Sequence, residues 1–115
     1  MMKISENKLE ILKKDIVRLL APLHLDKIVL FGSYAYGKPN EESDIDIFLL
    51  KDIPSQSIRE LRLQARKMLR PLISQEHLGI DIVADSEQRV QDRIINIKDQ
   101  FYKEIMTKGK VIYAK

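Results

Sequence analysis

The chain has no cysteine and no tryptophan, only four glycines and four prolines, and just 6% aromatic residues. Lack of cysteine excludes a disulfide scaffold, a thiol nucleophile and any cysteine-ligated zinc site. It also suits a reducing compartment. No apolar run approaches the ~18 residues of a membrane span, and the opening MMKISENKLE has no apolar stretch like a signal peptide. A cytoplasmic location without membrane association is therefore expected. Charge of one sign is scarce as well: 20 Lys and Arg against 17 Asp and Glu leave a net +3. Without a clustered basic face, this points away from direct nucleic-acid binding. It is compatible with an anionic small molecule such as a nucleotide, and equally with a merely soluble surface. Internal repeats, low-complexity segments and Gly/Ser linkers are also missing.

What is present fits one domain over residues 1–115. A chain of this length buries roughly 65% of its unfolded surface, and 44% hydrophobic with 32% charged residues is ordinary for a globular protein. Ser5 is a candidate N-cap, followed at helical spacing by Leu9, Leu12, Ile16, Leu19, Leu20 and Leu23, with Pro22 marking the end. Lys27 to Phe31 (KIVLF) reads as a buried strand. Gly32 and Gly37 bracket a turn or a single helical turn, and Pro39-Asn40 is a break. Asp44 to Leu50 (DIDIFLL) is a second strand and Gly79 to Ala84 (GIDIVA) a third. Between them Ile58, Leu61, Ala65, Met68 and Leu69 form a helix face that Pro71 is expected to end. Asp85 is expected to cap a last helix, with Gln88 as its capping-box partner. Val90, Ile94, Ile97, Phe101 and Ile105 are the expected apolar stripe of that helix, and Gly109 its C′ residue. Val111 to Tyr113 is a short fourth strand or a docked tail. The order predicts a small mixed sheet with helices packed on it, α/β or α+β in class.

Aspartate is disfavoured inside strands, yet Asp44 and Asp46 share one. Strand side chains alternate, so these two point to one face while Ile45 and Ile47 enter the core on the other. The third strand repeats the pattern, with Ile80 and Ile82 on one side and Asp81 on the other. If the strands are neighbours, three carboxylates converge. Two carboxylates about 5 Å apart repel by roughly 3 kcal/mol at an effective dielectric near 20. Such a cluster calls for a counter-ion or raised pKa values, and oxygen-only ligands select hard cations such as magnesium. Separate solvent-facing aspartates at strand ends are the bland alternative, and only the combination of all three argues against it.

Gly32-Ser33 directly follows a strand. Glycine there admits close backbone approach to a ligand, with amides and the Ser33 hydroxyl as phosphate donors; by itself the pair is more often only a turn. GSYAYGK, Gly32 to Lys38, also matches part of a P-loop. Pro39 stands where that motif needs a magnesium-binding Ser or Thr, and the next element is the Asp44 strand instead of a long helix. Arg59, Arg62, Arg66 and Arg70 form a helix stripe, readable as a partner or phosphate contact but more often a solvated face. His24 and His77 are isolated, and nothing singles out Tyr34 or Tyr102.

Taken together, Gly32-Ser33, Ser43-Asp44-Ile45-Asp46 and the later Asp81 resemble the nucleotidyltransferase superfamily of DNA polymerase beta. GSYAYGKPNEESDIDIFLL is similar to the signature of its minimal members, the MNT proteins. The resemblance implies the polymerase beta-like fold, ATP as substrate and two magnesium ions held by Asp44, Asp46 and Asp81. It also implies that Asp81 takes the acceptor proton and that Gly32 and Ser33 cradle the β- and γ-phosphates. It further implies an antitoxin that transfers AMP to a tyrosine hydroxyl of a HEPN-domain toxin. Many minimal members carry Arg where Tyr36 stands here, which removes a positive charge near the triphosphate; Lys38 is a candidate substitute. Two alternatives stay open: a non-enzymatic antitoxin with a vestigial metal site, and transfer to a small molecule.

Overall fold

The computed structural model describes residues 4–40 and 43–115. The chain start before Ile4 and the approach to the second strand at residues 41 and 42 lie outside them. Helix α1 (Glu6–Leu20) is capped by Ser5, whose Oγ accepts from the Lys8 amide at 3.2 Å. After a 3-10 turn at Ala21–Leu23 come β1 (Lys27–Phe31), a 3-10 turn at Gly32–Tyr34 and β2 (Ile45–Leu50). Helix α2 (Ile58–Glu76) crosses over to β3 (Ile80–Asp85). Helix α3 (Glu87–Asp92), a π-helical turn at Arg93–Ile97, helix α4 (Gln100–Lys108) and β4 (Lys110–Ala114) complete the order.

The four strands form one mixed sheet ordered β3-β2-β1-β4. Pairings of β1 with β2 and with β4 are antiparallel, while β2 and β3 are parallel, as a helical crossover permits. Strand alternation divides the core in two. Ile45, Ile47 and Leu49 of β2 pack with Leu12, Ile16 and Leu20 of α1 and Leu61, Ala65 and Leu69 of α2. Phe48 and Leu50 face the other side, with Val29, Phe31, Val90 and Ile105. Asp46 precedes Phe48 by two, so it stands on that second face, at the sheet end left open beyond α4.

Three expectations need correction. Pro71 does not end α2, which continues to Glu76. Pro71 is exposed, so the hydrogen bond it forfeits lies toward solvent, while Leu72 beyond it is buried and holds the last turns down. The helix stops at His77, in left-handed conformation at φ 50°, and His24 closes the turn after α1 in the same way at φ 53°. Asp85 is not the cap either. It pairs with Leu50 as the end of β3, and Ser86 caps α3 by accepting from the Arg89 amide at 3.2 Å. The final helix is not continuous. The π turn and left-handed Lys98 (φ 58°) reset its phase, and Asp99 starts α4 by accepting from the Tyr102 amide at 3.1 Å. Val90 and Ile105 stay buried, but Ile97 is 60% and Phe101 50% exposed.

Candidate active site

The site begins where β1 runs out. Gly32 adopts φ +73°, and a Cβ there would collide with the Asp46 carboxylate. Only glycine lets the chain turn at this point with Asp46 so close. The turn is closed by the Ala35 and Tyr36 amides, both donating to the Gly32 carbonyl at 3.0 Å. No helix follows Lys38 among the described residues before β2, which removes the P-loop reading.

Parallel register sets Asp46 of β2 beside Asp81 of β3. Asp46 is half-buried and Asp81 exposed. Burial, followed by the charge of Asp81, a hydrogen bond with Asp81 and the charge of Asp44, pushes the Asp46 carboxyl up to about 6. Asp44 is exposed just ahead of β2, with its carboxylate against the Cα of Gly79, where a Cβ would collide with it. Thus Asp46 and Asp81 form a pair that Asp44 flanks. Among the described residues no three acidic or histidine side chains close into a ready ion cage. The donors present nevertheless fit magnesium: they are hard oxygens that repel one another, and that ion takes one or two carboxylates plus substrate phosphates.

The pair opens into a cleft of ≈ 730 Å³ lined also by Gly32, Ser33, Tyr36, Phe101 and Lys108, a volume in the range of small-molecule sites. Gly32 and Ser33 therefore share one cleft with Asp46 and Asp81. Tyr36 is half-buried against the second core, a packing role for the residue that replaces the expected arginine. Lys38 is exposed and does not line this cleft, whereas Lys108 does. The arginines 59, 62, 66 and 70 are exposed on α2, which packs on the opposite face of the sheet. Phe101 and Lys108 were not legible as residues of this cleft. The available signal was their spacing with Glu104, at i, i+3 and i+7, which puts them on one face of a helix.

The sequence profile of the family described as Polymerase beta, Nucleotidyltransferase matches residues 14–115. The chain belongs to this nucleotidyltransferase family. Among curated relatives, Putative protein adenylyltransferase MJ0604 of Methanocaldococcus jannaschii is 30% identical over 77% of this chain and 79% of its own length. Putative protein adenylyltransferase MJ0141 of the same organism is 38% identical over 62% and 65%. Among solved structures, a toxin–antitoxin with AMP-PNP superposes with a TM-score of 0.53 at 25% identity, over 90% of this chain and 73% of the other. A toxin–antitoxin named MntA-HpeT gives a TM-score of 0.52 at 24% identity with the same coverage, a likeness of fold. This nucleotidyltransferase thus has the polymerase beta-like architecture and resembles protein adenylyltransferases. No helix among its described residues is long and apolar enough to cross a membrane.

Proposed function

We propose that this nucleotidyltransferase transfers AMP from ATP to a protein hydroxyl, a tyrosine of a HEPN-domain toxin, and so acts as the antitoxin of the pair. The observation that carries the reading is the Asp46–Asp81 pair facing one cleft with Gly32 and Ser33. The adenylyltransferase names of the relatives and the toxin–antitoxin likeness supply the class of acceptor.

Asp46 and Asp81, with Asp44 beside them, would hold the magnesium. When bound, it supplies positive charge to the triphosphate and lowers the pKa of the acceptor hydroxyl. The Gly32 backbone admits the phosphates closely, and the Ser33 hydroxyl donates to their oxygens. Asp81, the more exposed carboxylate of the pair, accepts the proton of the entering hydroxyl. The hydroxyl oxygen bonds to the α-phosphorus, the bond from that phosphorus to the β-phosphate bridging oxygen breaks, and pyrophosphate leaves. AMP on the toxin adds negative charge and bulk beside an RNA-binding surface, repelling phosphates.

The test is to incubate the protein with a HEPN-domain toxin, ATP and magnesium, and weigh the toxin by mass spectrometry. A gain of one adenylyl group, lost with Asp46→Asn, is the expected result. A partner that is inhibited on mixing yet gains no mass would replace this reading with a non-enzymatic antitoxin.

A further inference from the structure

Helix α4 turns one stripe toward the cleft: Phe101, Glu104 and Lys108 line it together with Asp46 and Asp81. Phe101 is an unusual wall residue, since half of a large apolar ring stays in solvent. The ring meets Phe31 in a T-shaped contact at 5.8 Å and Tyr102 in a tilted one at 5.9 Å, which hold it in place while half of the residue remains exposed to another flat partner. The helix that carries it is anchored by its neighbour Tyr102, packed on Phe48 at 5.4 Å and donating its hydroxyl to buried Asp85 at 3.3 Å. Lys108 is the one cation among the described residues lining the cleft, where Asp46, Asp81 and Glu104 are all acidic. Its ion pair with Glu104 is long, 3.8 Å, and well exposed at both ends, so it holds the ammonium loosely. Seven residues separate Phe101 from Lys108, roughly 10 Å along a helix. A nucleoside triphosphate spans about the same distance from its base to its outer phosphates.

We propose that this stripe of α4 is a nucleotide-recognition wall, with Phe101 stacking on the nucleobase and Lys108 pairing with the phosphates held at Gly32 and Ser33. The assignment rests on the nucleotide-dependent reading above and adds Phe101 as the residue that selects a nucleotide over a bare polyphosphate, with Lys108 as the cation that meets the phosphates of either. An aromatic face is tolerant of base identity, so the wall recognises a base without choosing strongly among bases.

Calorimetric titrations with ATP and with inorganic tripolyphosphate, both with magnesium, separate the two roles. Phe101→Leu keeps apolar bulk but removes the ring. It should weaken ATP about tenfold and leave tripolyphosphate unchanged, while Phe101→Tyr should bind both as wild type does. Lys108→Gln should weaken both ligands by a similar factor. The proposal falls if Phe101→Leu leaves ATP affinity intact, if it weakens both ligands alike, or if Lys108→Gln spares tripolyphosphate. Those results with a wild-type protein that binds ATP would leave the transferase reading standing and reassign Phe101 to another surface role. A wild-type protein that binds neither ligand would overturn both readings.

Discussion

Asp46 stands directly across from Asp81 in the register of the only parallel strand pair among the described residues, and the hydrogen bond between them helps hold the Asp46 proton. Two carboxylates at adjacent register positions on one face oppose each other unless a proton or a cation intervenes. The folded protein therefore binds a proton at Asp46 more tightly than the unfolded chain does, at about 6 against the ordinary 3.8.

The sign of the resulting pH dependence follows from linkage. A folded pKa above the unfolded one gives stability that is complete below about pH 4 and is lost as pH rises through about 6. Without metal, the contribution of Asp46 should thus decline between those values. Asp46→Asn should remove this component and be more stable than wild type at pH 7.5, with the advantage shrinking toward pH 4. Urea midpoints of both proteins at the two pH values measure it. An Asn variant less stable at pH 7.5 would assign Asp46 a structural role instead.

Ligand addition should act in the opposite sense. If magnesium with ATP binds the folded state as proposed, it should raise the Tm, with about 2.7 kcal/mol of added stability at a hundredfold excess over Kd. Asp46→Asn and Asp81→Asn should lose most of that rise while remaining folded. Differential scanning calorimetry with and without magnesium decides this, and an equal shift in the variants would remove the carboxylates from the site.

The Asp85 network offers a purely structural prediction. Asp85 is buried and accepts from Arg89 Nε at 2.6 Å, from the Ser86 amide at 2.8 Å and from the Tyr102 hydroxyl at 3.3 Å. The Arg89 guanidinium also donates to the Ile53 carbonyl at 2.6 Å. Tyr102→Phe removes one donor of three and should cost about 1 kcal/mol. Arg89→Met removes the charged partner and should cost more, roughly 1.5–3 kcal/mol. Denaturant midpoints that reversed this order would mean that the Tyr102 hydroxyl bond to Asp85 outweighs the ion pair.

How much of this was legible in the sequence depends on the range of the forces involved. The strands were readable because period two is strict: Ile45 and Ile47 are buried while Asp46 between them is turned to the other face. Adjacency of β2 and β3 was not legible, because a helical crossover permits a parallel pairing without requiring these two strands to be neighbours. Pro71 misled because a local breaker was overridden by distant packing through Leu72, which no local pattern encodes. The phase change at Lys98 carried no Gly or Asn to announce a left-handed residue. As a result Phe101 read as core, although its ring is half in solvent. Lys38 is near the turn in sequence, but the cation that lines the cleft among the described residues is Lys108, which only the fold brings near.

Gly32 supplies the sharpest test of how the turn and the carboxylate depend on each other. At φ +73° any other residue bears left-handed strain, roughly 1–3 kcal/mol. The added Cβ would also meet the Asp46 carboxylate. Gly32→Ala should therefore destabilise the protein by more than the backbone term alone and push Asp46 away from Asp81. Asp46→Ala removes the colliding carboxylate, so Gly32→Ala should cost less in an Asp46→Ala background than in wild type. A double-mutant cycle in urea measures the difference, which should be on the order of 1 kcal/mol for side chains in direct contact. Strict additivity would show that Gly32 is required for its backbone angle alone and does not set the position of Asp46. The coupled result would mean that the Gly32 turn and the Asp46 carboxylate are one mechanical unit, so that, on the proposed reading, phosphates drawn onto Gly32 and Ser33 would also set their distance from Asp46.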